Sequence, residues 1–85
     1  MPTSPAVLVI DDEKSLRDFV RINLEVRGYN VTVASNGADG LSIFQSQHID
    51  LVILDIMMPN MDGLEATRRI RQISVVPIII LTALG

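Results

Sequence analysis

The stretch Asp50-Leu-Val-Ile-Leu-Asp55-Ile-Met-Met-Pro59-Asn-Met-Asp-Gly63 decides how the remainder of the sequence is read. Leu51 to Leu54 are apolar with no polar alternation, which predicts a strand over Asp50 to Leu54 buried on both faces. That strand ends in an acid, Asp55. Pro59 has no amide hydrogen to donate, so Met57 to Met61 reads as an irregular loop. Asp62 or Gly63 then opens a helix in which Ala66, Ile70 and Ile73 share a face. Arg68, Arg69 and Arg71 are expected toward solvent, as a hydrated helix surface. A buried strand leading through a loop into a helix is the first half of a βαβ unit.

The same alternation extends outward in both directions. After Pro77 comes the most hydrophobic strand, Ile78-Ile-Ile-Leu81, which runs into Thr82-Ala83. Before the quoted stretch, Ala6-Val-Leu-Val-Ile10 is a second fully apolar strand and stops at Asp11-Asp12-Glu13. A helix follows, with Leu16, Phe19, Val20 and Leu24 predicted on its inward stripe and Gly28 as its C-terminal cap. Arg17, Asp18, Arg21 and Glu25 fall largely outside that stripe. Asn30 to Ala34 alternates as a strand, and Ser35-Asn36-Gly37 is a turn with capping side chains. The next helix is expected to turn Ala38, Leu41 and Phe44 inward, with Gly40 costing it about 1 kcal/mol against alanine. Four strands alternating with three helices predict an α/β fold with a parallel sheet and right-handed crossovers.

Bulk composition narrows the class of protein. A chain of 85 residues has room for one small domain, taken as 1–85 with a flexible tail over 1–5. It is 48% hydrophobic and 20% charged, too apolar for a disordered chain, and its apolar runs fall short of a bilayer span. No leader segment is legible at its start, so a cytoplasmic protein with no membrane contact is expected. A net charge of −3 gives no basic footprint for nucleic acid. Zero cysteines and a single histidine exclude disulfide scaffolds, thiolate metal sites and imidazole clusters.

In a parallel sheet the functional groups gather at the carboxyl ends of the strands. Three of the four strands end there in something polar: Asp11 and Asp12, Asp55, and Thr82. Acids at strand ends also serve as helix caps and turn residues. Capping, however, does not require all of them at one rim. Three carboxylates so placed repel one another unless a cation sits among them. Mg²⁺ suits a set of hard oxygens plus water and a phosphate oxygen, whereas zinc would call for nitrogen or sulfur. Thr82 offers a hydroxyl to an anion bound at Asp55.

At these residues the chain resembles the receiver domains of two-component signalling. The matching stretches are Val7 to Glu13, Asp50 to Leu64 and Pro77 to Ala83. The resemblance implies a flavodoxin-like, doubly wound sheet of order 2-1-3-4. It implies Asp55 as the phosphoacceptor, Asp11 and Asp12 as the metal-binding pair, the Met57 backbone carbonyl as a further Mg²⁺ ligand, and Thr82 as the switch hydroxyl. The implied donor is a sensor histidine kinase, a phosphotransfer protein or a small phosphodonor. Family members continue with a fifth strand, which bears a lysine and an aromatic residue of the switch. Lys14 does not match that lysine. A receiver truncated after its fourth strand is therefore expected, with that strand exposed and a homo-oligomer covering it.

Two rival readings stand beside it. A phosphatase of the haloacid dehalogenase type also uses a strand-end aspartate, but it needs an acid two positions on, where this chain has Met57. A self-associating structural module without signalling activity is the other. Met57, Met58 and Met61 read as an apolar loop, and His48 as a surface turn residue.

Overall fold

The computed structural model describes residues 4–56 and 63–81. The elements run β1 (Ala6–Ile10), α1 (Lys14–Val26), β2 (Asn30–Ala34), α2 (Gly37–Ser46), β3 (Leu51–Asp55), α3 (Gly63–Ile73) and β4 (Ile78–Leu81). All strand pairs are parallel and the order is β2-β1-β3-β4, the flavodoxin-like arrangement expected.

Residue parity divides the core. From the central strands, Val7, Val9 and Ile53 face α1 and meet Val20 and Leu24. Leu8, Ile10, Val52 and Leu54 face the other way, into a layer with Ala34, Ile49, Ile70 and Val76. Val7, Val9 and Ile53 on one face and Leu8, Ile10, Val52 and Leu54 on the other are all buried, which is why β1 and β3 carry no polar alternation. Burying these branched side chains on both faces contributes roughly 1.5–3 kcal/mol each. Among the described residues no helix is long and apolar enough to cross a membrane.

The structure corrects three of the expected inward positions. Phe19 is 65% exposed, because the sheet accepts only the Val20–Leu24 stripe of α1 and Phe19 lies to one side of it. Ala38 is exposed; α2 instead buries Gly37 and Gly40, with Leu41 and Phe44 partly buried beside them. Ile73 is 56% exposed at the end of α3, and Val76 enters the core just beyond it. Strand β3 is also displaced by one residue from the predicted Asp50 to Leu54. Asp50 sits outside the ladder, its carboxylate accepting from the Ala6 amide at 2.8 Å and meeting His48 Nε2 at 2.7 Å. Asp55 is the last rung, opposite Leu81.

Local chemistry elsewhere follows the sequence. Gly28 has φ of 93°, so α1 ends in a left-handed glycine. Asn36 caps α2 by accepting from the Asp39 amide at 2.8 Å. Gly40 serves a purpose beyond local propensity. A Cβ there would collide with Cδ1 of Ile10 and come within 2.7 Å of its Cγ1, so the glycine lets α2 lie directly on β1. Lys14 is a surface charge paired with Asp18 at 2.7 Å, and Arg69 pairs with Glu65 at 2.9 Å on the solvated face of α3.

Candidate functional site

β1 and β3 are neighbours in register, Ile10 opposite Leu54. The residues that follow, Asp11 and Asp55, therefore emerge side by side at the carboxyl end of the sheet. Asp12 is next in the chain. Carboxylate oxygens of Asp11, Asp12 and Asp55 all lie within 4.8 Å of one another. Three predicted site residues are thus brought together. The other two, Thr82 and Met57, lie outside the described residues.

The three acids are not equivalent. Asp11 is only 1% exposed, whereas Asp12 is open to solvent. Oδ1 of Asp11 accepts the Glu13 amide at 2.8 Å, while its buried Oδ2 has no partner among the described residues. A buried carboxylate oxygen without a donor costs free energy unless something positive or protic meets it. Burial raises the pKa of Asp11, and the nearby charges of Asp55, Asp12 and Glu13 raise it further against the lowering effect of the Glu13 amide. A hard divalent cation answers both the orphaned oxygen and the clustered charge. The donor set therefore fits Mg²⁺.

The backbone beneath Asp55 is equally confined. A Cβ on Gly63 would collide with the Asp55 carbonyl oxygen and the Cα of Ile56, and would lie 2.7 Å from Cδ1 of Leu54. The first residue of α3 is therefore pressed against the end of β3. Arg17, expected from sequence outside the inward stripe of α1, reaches back and donates from Nη1 to the Asp11 carbonyl at 2.8 Å. Its position one turn into the helix after Asp11-Asp12 was the only hint in the sequence.

The raised pKa of Asp11 has a definite sign in stability. A carboxyl whose pKa is higher folded than unfolded destabilises the folded chain once ionised. That penalty is absent below the ordinary value of 3.8 and complete above the raised folded value. Asp18 and Asp50 act oppositely. Lys14 lowers the pKa of the first, chiefly by its hydrogen bond, and the Ala6 amide that of the second, so their support is lost as pH falls from about 3.8 through their lowered values. The metal-free chain is therefore expected to gain stability as pH falls through the raised Asp11 value toward 3.8, then to lose it in stronger acid. Asp11→Asn should raise the metal-free melting temperature at pH 7 by several degrees and remove that gain. Melting followed by circular dichroism across pH, with chelator present, checks this. A lower melting temperature for Asp11→Asn at pH 7 would contradict the assignment.

Comparison with known proteins agrees with this geometry. The family model of the response regulator receiver domain matches residues 7–85. The chain belongs to that family. A receiver is a module of the response regulators of two-component systems. Among curated relatives, the probable transcriptional regulator ycf27 of Guillardia theta is 47% identical over 85 residues, covering 100% of this chain and 34% of that protein. The chain spans about a third of the length of the curated relatives it matches. The response regulator TrrA of Thermotoga maritima, solved in complex with Mg(2+)-BeF, superposes with a TM-score of 0.90 at 41% identity, covering 95% of this chain and 71% of that one. TrrA solved in complex with the histidine kinase ThkA gives a TM-score of 0.88, again at 41% identity and with the same coverage.

Proposed function

We propose that this receiver accepts a phosphoryl group on Asp55 in a Mg²⁺-dependent transfer, with Asp11, Asp12 and Asp55 holding the ion. The observation that carries the reading is the convergence of three carboxylates at one rim, one of them offering a buried oxygen that no described protein donor meets. A carboxylate oxygen of Asp55 forms the new bond to phosphorus as the bond from phosphorus to the donor breaks. The leaving group departs with that electron pair. Asp55 needs no general base, because a carboxylate carries no proton to remove. When bound, the ion supplies positive charge against the phosphoryl oxygens, the electrostatic help on which phosphoryl transfer chiefly depends. The Met57 carbonyl as a further ligand and the Thr82 hydroxyl as a donor to the attached phosphoryl group complete the proposal.

The kinase complex of a relative supports a histidine kinase or phosphotransfer protein as donor. The names of the curated relatives support a place in a transcriptional regulator. This reading sets the work of the chain in the cytoplasm, where ATP-derived phosphoryl groups are made. The receiver is a signalling module rather than an enzyme. Residues 1–85 belong to a single receiver domain, and the exposure of Ile79 and Ile80 on β4 favours self-association of the isolated chain.

Intact mass after incubation with a small acyl phosphate tests the reading. The parent should gain one phosphoryl group with Mg²⁺ and none with chelator, and Asp55→Asn should gain none under either condition. Asp55→Asn should also weaken Mg²⁺ binding while slightly raising the metal-free melting temperature, since it removes one of the repelling charges. A phosphoryl group gained by Asp55→Asn, or a parent unmoved by Mg²⁺, would overturn the assignment.

A further inference from the structure

Asp11 is gripped at three of its four polar groups. Its amide donates to the Ala34 carbonyl at 3.1 Å, its Oδ1 accepts from Glu13, and its carbonyl accepts from Arg17 Nη1 at 2.8 Å. The last of these bonds runs from α1 back to the end of the preceding strand. The other arginines spend their donors nearer home. Arg21, Arg68 and Arg69 pair with carboxylates at the surface, and Arg27 and Arg71 reach carbonyls within a turn of themselves. Arg17 makes no ion pair among the described residues. Its guanidinium is partly buried beside a cleft of about 440 Å³ formed with Val33, Ser35, Ser42 and Ser46.

The Asp11 carbonyl belongs to the peptide plane that joins Asp11 to Asp12. The peptide unit is rigid, so holding its oxygen fixes the direction in which the backbone enters Asp12. We propose that Arg17 is a positioning residue for the acid pair. Acting through the Asp11 carbonyl, it sets the plane between the two aspartates so that both face Asp55. This inference rests on the Mg²⁺ reading above. Groups that orient a ligand without touching the ion tune its affinity through geometry. Arginine suits the task because its charge persists at any working pH and its planar fork loses little freedom on forming the bond.

Two substitutions test the idea. Arg17→Met keeps an apolar stem of comparable reach and removes the donors; Arg17→Lys keeps one cationic donor. Mg²⁺ affinity by isothermal titration calorimetry should fall about tenfold in Arg17→Met, and Arg17→Lys should recover most of it. Hydrogen exchange supplies a readout that needs no metal. The Glu13 amide, held by Asp11 Oδ1, should exchange about tenfold faster in Arg17→Met. The Val52 amide, bonded to Pro77 in the sheet, should be unchanged. Equal acceleration at Val52, with no recovery in Arg17→Lys, would mean a general loss of stability and would overturn the proposal. So would an Arg17→Met chain with parental Mg²⁺ affinity and parental Glu13 exchange. If the parent binds no Mg²⁺, the metal reading fails by itself, and exchange at Glu13 still decides whether Arg17 positions the acid pair.

Discussion

Gly63→Ala is expected to lower the melting temperature of the metal-free chain by roughly 10–20 °C, equivalent to about 2–3 kcal/mol in a domain of this size. In an ordinary exposed helix the same change would gain about 1 kcal/mol, since alanine is the better helix former. Here the added methyl meets the carbonyl oxygen of Asp55 and the Cα of Ile56, and neither can rotate away. Overpacking of this kind costs about 1–3 kcal/mol, and more where backbone must shift. Gly40→Ala provides the contrast. Its obstacle is the side chain of Ile10, which can be trimmed. Adding Ile10→Val to Gly40→Ala should return part of the lost stability, whereas adding Leu54→Val to Gly63→Ala should return none. Because the clash at residue 63 falls on Asp55 itself, Gly63→Ala should also weaken Mg²⁺ binding. A Gly63→Ala chain melting within a few degrees of its parent would refute this account of the α3–β3 contact.

The isolated 85-residue chain is expected to self-associate at micromolar concentration through β4. Among the described residues β4 pairs only with β3, leaving its outer row of amides and carbonyls unpaired in the sheet. Ile79 is 49% exposed and Ile80 43% exposed, and by strand parity they lie on opposite faces. An edge strand usually carries a charge, a bulge or an internal proline to discourage pairing. Ile78 to Leu81 has none of these. Covering a few hundred Å² of such surface would stabilise an assembly by about 5–10 kcal/mol at 25 cal/mol per Å², before the cost of association. Ile79→Lys and Ile80→Lys should each shift sedimentation toward monomer. A well-folded monomer for the parent chain, indifferent to both substitutions, would refute the expectation.

Much of the fold and the clustered acids of the candidate site were legible in the sequence, for identifiable reasons. Continuous apolar runs located β1, β3 and β4; in β1 and β3 burial on both faces leaves no room for polar residues. The acids at the ends of two such runs located the rim. Helix orientation was less legible. Leu16, Phe19, Val20, Ile22, Leu24 and Val26 spread apolar surface around more than half of α1, and only the sheet decides which stripe is covered. Gly40 and Gly63 read locally as a weak helix former and a helix start. Their value lies in contacts with Ile10 and Asp55, which are remote in sequence. The contrast between buried Asp11 and exposed Asp12 likewise arises only once β1 lies between β2 and β3.

The parallel topology has a kinetic corollary. No two strands of this sheet are joined by a hairpin, so none of its ladders can form by local zipping. Asp11 and Asp55 meet only after β1 and β3 have found their register across an intervening helix, strand and second helix. Closing so long a loop is an entropic cost that precedes any reward from the rim. The acid cluster is accordingly expected to form late on the folding route, which refolding and unfolding rates measured with and without Mg²⁺ would check. The stabilisation such an ion provides then falls on the rate of unfolding and leaves the rate of folding nearly untouched. Divalent ions would thus lengthen the lifetime of the folded chain without hastening its formation.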